Sequence, residues 1–132
     1  MLDIRDIRRT PEIYTDRLSL RGGDVGLTAL LDLDVQRREL IVEADKLRQS
    51  KGETERGMRT ADRSAPEFVE FREKMRAVAQ EIKVVAEKQR EVEEKLEAII
   101  LTIPNIPHDA VQPGSDESAN IEVSQWGTKP GF

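Results

Sequence analysis

Apolar residues recur at alternating spacings of three and four along the stretch Phe68, Phe71, Met75, Val78, Ile82, Val85, Val92, Leu96, Ile99 and Ile103. Only Gln89 breaks the series with a polar side chain. A stripe with this period predicts one continuous helix carrying a heptad seam. At 1.5 Å per residue the helix is roughly 54 Å long. Its stripe needs a partner to leave water. A second series, Leu30, Leu33, Arg37, Leu40, Ala44, Leu47, Lys51, Thr54 and Met58, predicts another long helix over about 27–58. Its polar members are compatible with a seam, because long basic side chains lay apolar stems along it and keep their charges wet. Gly52 and Gly57 each lower helix propensity by about 1 kcal/mol relative to Ala, so this helix is expected to loosen towards its far end.

The connection is assigned to Gly57 through Ala65. Ser64-Ala65-Pro66-Glu67 reads as a capping box, with Ser64 as N-cap and Pro66 in the first turn of a helix over 66–103. A short link between two long helices predicts an antiparallel hairpin. A parallel or intermolecular coiled coil shows the same stripes, and periodicity does not separate the two. Two short amphipathic segments precede the pair: Leu2, Ile4 and Ile7, then Ile13, Tyr14, Leu18 and Leu20. Thr10 is expected as an N-cap with Pro11 at the first helical position, and Arg21-Gly22-Gly23 as the end of this cap on the rod base. After Ile103, Pro104, Pro107, Pro113 and Gly114 rule out further regular helix. Asn120 to Val123 reads as a short strand. The expected fold is therefore all-α: a long two-helix antiparallel coiled-coil hairpin, with short N-terminal helices and an irregular C-terminal connector. Residues 1–103 form the helical arm and 104–132 the linker.

Composition narrows the class. Of 132 residues, 37% are hydrophobic, 36% charged and only 4% aromatic, which fits solvated helices sharing a narrow seam. There is no cysteine, hence no disulfide or thiolate site. No segment is apolar enough for a signal peptide or a membrane span, so a cytoplasmic location is expected. His108 is the only histidine and lies among prolines, where a structural or solvent-facing role is the ordinary one. Catalytic, cofactor-binding and metal residues are expected to be absent from this chain: Ser-His-Asp chemistry needs an oriented base, and the glycines form no phosphate loop.

The formal charge of -5 gives no overall field favouring nucleic acid. The distribution is more informative. Residues 48–76 hold eight basic and six acidic side chains, whereas 30–47 with 77–103 hold seven basic and eleven acidic ones. The rod is thus mildly positive at its tip and negative near its base. Basic side chains on a rigid helix contact phosphates without reading bases; solvated helix faces give the same pattern.

The run Ile103 to Gly127, IPNIPHDAVQPGSDESANIEVSQWG, resembles the junction between arm and catalytic domain in bacterial-type seryl-tRNA synthetases. The opening MLDIRDIRRTPE and the segment LDVQRRELIVEADKLR from Leu33 to Arg48 are similar to that family too. The resemblance implies the tRNA-binding arm of a serine–tRNA ligase, which makes seryl-tRNA from serine, ATP and tRNA through a seryl-adenylate. It implies that the arm holds the long variable arm of tRNA-Ser. It places ATP, and the Mg that accompanies it, in a class II catalytic domain beyond this sequence, through which the parent dimerises. The chain alone is then expected to be a non-catalytic fragment, itself monomeric, with tRNA-Ser and the catalytic domain as partners and neither membrane nor DNA among them. RNA-facing roles fall on Arg48, Lys51, Arg56, Arg59, Arg72, Lys74 and Arg76. The family's distal R-N-x-x-S-K-x-I pattern is altered here, with Gly52 for the usual asparagine and Glu55 for the usual serine. A stand-alone RNA or protein adaptor and a purely structural coiled coil are the competing readings.

Overall fold

Both seams become helices of nearly the expected length. The computed structural model describes residues 2–20, 25–114, 116–128 and 131. Among them are four α-helices: α1 (Ile4–Arg9), α2 (Pro11–Ser19), α3 (Leu27–Thr60) and α4 (Pro66–Thr102). A single 3-10 turn covers Glu117–Ala119, and there is no strand among the described residues. The chain divides into two compact units, residues 28–101 and residues 1–27 with 102–132.

The first unit is the hairpin of α3 and α4. With the seam positions lettered a and d, Leu30, Arg37, Ala44, Lys51 and Met58 are a residues of α3. Phe68, Met75, Ile82, Gln89 and Leu96 are a residues of α4. Every seam residue from Leu30 to Met58 and from Phe68 to Ile103 is buried or half-buried. Val78, Val85 and Val92 at the d positions are buried, each stabilising the pair by roughly 1.5–3 kcal/mol. The pairing is antiparallel. Gly57 approaches the Phe71 ring near the loop, whereas residues 36–43 run beside residues 88–95 at the other end.

Polar seam residues are accommodated individually. The buried Thr54 hydroxyl donates to the Ser50 carbonyl oxygen at 2.8 Å. Arg37 donates to Asp34 Oδ1 at 3.4 Å, and Arg38 Nε donates to Asp34 Oδ2 at 3.1 Å. Asp34 is completely buried, a feature periodicity does not reveal. Gln89 is half-buried and lies in the seam without ending it.

The expected loosening of the first long helix does not occur. α3 continues through Gly52 and Gly57 to Thr60, because seam burial along the whole helix outweighs two local penalties of about 1 kcal/mol. The two glycines differ in surroundings. A Cβ at Gly52 meets nothing within 4 Å, whereas one at Gly57 falls 2.7 Å from Phe71 Cζ. Gly52→Ala is expected to stabilise the protein by about 1 kcal/mol, seen as a rise in Tm of about 4–8 °C. Gly57→Ala should gain less in the same melt, because the phenyl ring must move.

The loop, residues 61–65, is closed by Asp62 rather than by the expected Ser64 capping box. Asp62 Oδ1 accepts from the Ser64 backbone N–H at 2.9 Å and from its hydroxyl at 2.8 Å. The Ser64 hydroxyl is therefore turned back into the loop. These bonds, the backbone one foremost, hold the Asp62 carboxyl below the usual aspartate range. A depressed folded-state value means that the contribution is present above the ordinary aspartate value and fades as pH falls through the folded one. In an NMR titration, the Asp62 carboxyl should show a midpoint below the ordinary value. The Ser64 amide should shift with the same midpoint, and Asp62→Asn should remove both changes.

In the second unit, Ile7 and Leu18 are fully buried and Leu27 and Ile103 nearly so. Asp3 caps α1, accepting from Arg5 N–H at 2.8 Å. Pro11 starts α2 as expected, but the Thr10 side chain does not cap it. Its hydroxyl instead donates to the Asp6 carbonyl oxygen at 3.3 Å. Arg17 ties α2 to the connector by donating to the Pro107 carbonyl oxygen at 3.4 Å and pairing with Asp109. Gly26 has φ 70, a left-handed conformation that favours glycine where the chain turns into α3. The expected strand at Asn120 to Val123 does not form: Asn120 is extended, and no neighbouring backbone among the described residues makes a ladder with this segment. The stop expected at Arg21-Gly22-Gly23, and Lys129, Pro130 and Phe132, lie outside the described residues.

Candidate nucleic-acid interface

The seam that builds the hairpin also decides where its charges go. Positions a and d are taken up by packing, so the basic residues between them are left on the surface. Arg48, Arg56 and Arg59 lie on α3 and Arg72, Lys74 and Arg76 on α4, all exposed. Lys51 differs: it occupies a seam position, is half-buried, and its Nζ lies 3.9 Å from Glu55 Oε1. Arg48 pairs with Asp45 at 2.7 Å, with both side chains well exposed. Such a pair contributes little to stability, so Arg48 can exchange it for another anion at small cost. Among the described residues no carboxylate lies within 4.0 Å of Arg56, Arg59, Arg72, Lys74 or Arg76.

The seven candidates thus share the loop half of the hairpin, and five of them have no ion pair within 4.0 Å among the described residues. Antiparallel pairing brings the two sequence segments together: Gly57 beside Phe71 puts the Arg56–Arg59 turn of α3 next to the Arg72–Arg76 turns of α4. A stiff support of two mutually buried helices holds these guanidinium groups, which favour phosphate oxygens because their planar forks match them. The altered family positions fall in the same region. Gly52 adds no side chain, and Glu55 is exposed beside Lys51.

The single histidine, His108, lies in the connector. His108 Nδ1 accepts from the Ala110 backbone N–H at 3.1 Å, and the His108 carbonyl oxygen accepts from Val111 N–H at 2.9 Å. Its ring closes a turn of the connector. Among the described residues no group of three or more His, Asp or Glu side chains is placed to hold a metal ion. No helix among the described residues is long and apolar enough to cross a membrane.

Residues 1–107 match the family model described as the Seryl-tRNA synthetase N-terminal domain. The chain is 38% identical over 127 residues to a serine–tRNA ligase of Carboxydothermus hydrogenoformans, covering 96% of the chain and 30% of that relative. It is 36% identical over 131 residues to a serine–tRNA ligase of Myxococcus xanthus, covering 98% of the chain and 31% of the relative. A serine–tRNA ligase of Acaryochloris marina is 37% identical over 132 residues, again with 31% of its length covered. The chain thus spans about 30% of the length of these relatives.

Proposed function

Because the chain belongs to the seryl-tRNA synthetase N-terminal domain family, we propose that its hairpin binds tRNA-Ser through the long variable arm. The observation that carries this reading is the family match over residues 1–107, which takes in both long helices and the start of the proline-rich junction. The exposed basic tip supports it. Arg48, Lys51, Arg56, Arg59, Arg72, Lys74 and Arg76 supply a positive field at the end of helices about 50 Å long. Double-stranded RNA is recognised mainly through its backbone and shape, which is what a rigid basic rod can read.

In this reading the arm serves a cytoplasmic, homodimeric serine–tRNA ligase. Serine, ATP and Mg are handled by a class II catalytic domain that the chain does not contain. Residues 104–132 are the linker towards it. The arm selects the RNA without touching the reacting atoms; holding a remote feature of the tRNA shortens the search for a productive geometry. The substitutions at Gly52 and Glu55 favour a second reading, a stand-alone RNA or protein adaptor. A reading frame that stops after Phe132, with no catalytic-domain sequence in frame, would support the adaptor over the ligase.

Titration of the purified chain with tRNA-Ser and with tRNAs lacking a long variable arm tests the binding function. The expected result is preference for tRNA-Ser at every salt concentration. Equal affinity for both classes contradicts it.

A further inference from the structure

The basic residues of the tip do not encircle it. Antiparallel pairing sorts the two edges of each helix onto opposite faces of the hairpin. Positions g and c of both helices flank one groove, lined by Gln36, Glu39 and Glu43 of α3 and by Lys88, Glu91 and Lys95 of α4. Positions e and b of both helices therefore flank the other face. Burial along these edges is uneven: of the e residues, Asp34, Ile41, Ala79 and Ile100 are buried or half-buried and Arg48, Glu55, Arg72, Ala86 and Glu93 exposed, whereas of the g residues on the two helices only the small Ser50 and Gly57 are half-buried.

Extended to residues 48–76, the same lettering separates the charges. Within this window the e and b positions of the two helices carry Arg48, Arg59, Arg72 and Arg76 against Glu55, a net of +3, with Asp45 at the adjoining b position paired to Arg48. The g and c positions carry Lys74 against Glu53, Glu67 and Glu70, a net of -2. Arg56 and Glu73 share the outermost f ridge. Arg48 and Arg59 are separated by about 16 Å along α3, from the helical rise, and Arg72 and Arg76 stand on the neighbouring helix.

We propose that the RNA backbone lies along the e/b face alone, on Arg48, Arg59, Arg72 and Arg76, and that Glu53, Glu67 and Glu70 keep it off the g/c face. This assignment rests on the RNA-binding function proposed above and narrows it to one side of the hairpin. Lys74 adds to the field at the tip but makes no phosphate contact. Arg48 must exchange Asp45 for phosphate and so contributes less than Arg72 or Arg76.

Lys74 lies between Arg72 and Arg76 in sequence yet on the opposite face, which makes it an internal control. The test measures Kd for a tRNA-Ser transcript against salt for the full chain and for Arg72→Ala, Arg76→Ala and Lys74→Ala, with circular dichroism to verify helicity. Arg72→Ala and Arg76→Ala are each expected to weaken binding about 3–10-fold. Each should make the slope of log K against log salt shallower by about 0.9, one phosphate contact. Lys74→Ala is expected to change Kd by less than about twofold and to leave the slope unaltered. Equal losses of affinity and slope for Lys74→Ala and Arg72→Ala overturn the one-sided assignment while leaving RNA binding intact. If the unaltered chain does not bind the transcript at any salt concentration, RNA binding itself fails.

Discussion

Val85→Asp is expected to unfold the helical hairpin at 25 °C, whereas Val84→Asp leaves it folded. The two valines are adjacent in α4 but differ in environment: Val85 is 3% exposed in the seam and Val84 is 44% exposed outside it. Removing the Val85 side chain forfeits roughly 1.5–3 kcal/mol of apolar burial. Placing a carboxylate there adds a desolvation cost of several kcal/mol, because the position is almost wholly out of water. A two-helix unit of this size holds about 3–5 kcal/mol from its core, so the sum exceeds what is available. Val84→Asp should change stability by at most about 0.5 kcal/mol. Far-UV circular dichroism and thermal melts separate the two. A cooperative melt for Val85→Asp close to that of the unaltered chain would show that the seam does not hold the hairpin together.

The second large effect is on RNA affinity. Raising salt from about 50 to 200 mM is expected to weaken binding to tRNA-Ser by about 100-fold. Each neutralised phosphate contributes about -0.9 to the slope of log K against log salt, so four arginine contacts give a slope between about -3 and -4. A fourfold rise in salt then costs roughly two powers of ten. The exposed setting of Arg59, Arg72 and Arg76, with no carboxylate close by among the described residues, means that little of this charge is already used within the protein. A slope near zero would mean that phosphate contacts do not provide the affinity.

The helical pair was legible from periodicity. The second long helix was expected over 66–103 and runs over Pro66–Thr102; the first was expected over about 27–58 and runs over Leu27–Thr60. A seam of this length is a collective signal that no single residue can cancel, which is also why Gly52 and Gly57 failed to break α3. Local details were less legible because neighbouring polar groups compete for the same partners. Ser64 has the right spacing to cap α4, but Asp62 takes its N–H and hydroxyl first. Asn120 to Val123 has strand-like alternation, yet a strand needs a partner backbone, and Val123 is 96% exposed. Asp34 is polar at an ordinary e position; the only hint of its burial was the presence of Arg37 and Arg38 three and four residues on, the spacing at which helical side chains meet.

The candidate interface shows the same division. That basic charge gathers towards the tip can be counted along the chain. Which residues share a face cannot, because that depends on how the second helix is laid against the first. Once antiparallel pairing joins e to e and g to g, Lys74 parts from Arg72 and Arg76. The link from Arg17 to Pro107 and Asp109 was likewise invisible, since nothing local in α2 refers to a connector some 90 residues later.

The central claim is that the arm reads the long variable arm of tRNA-Ser. The most direct measurement compares Kd for intact tRNA-Ser with Kd for the same tRNA from which only the variable arm has been removed, at one fixed salt concentration. Binding at least about tenfold weaker to the shortened tRNA is the predicted result. Equal affinity for the two would contradict the account.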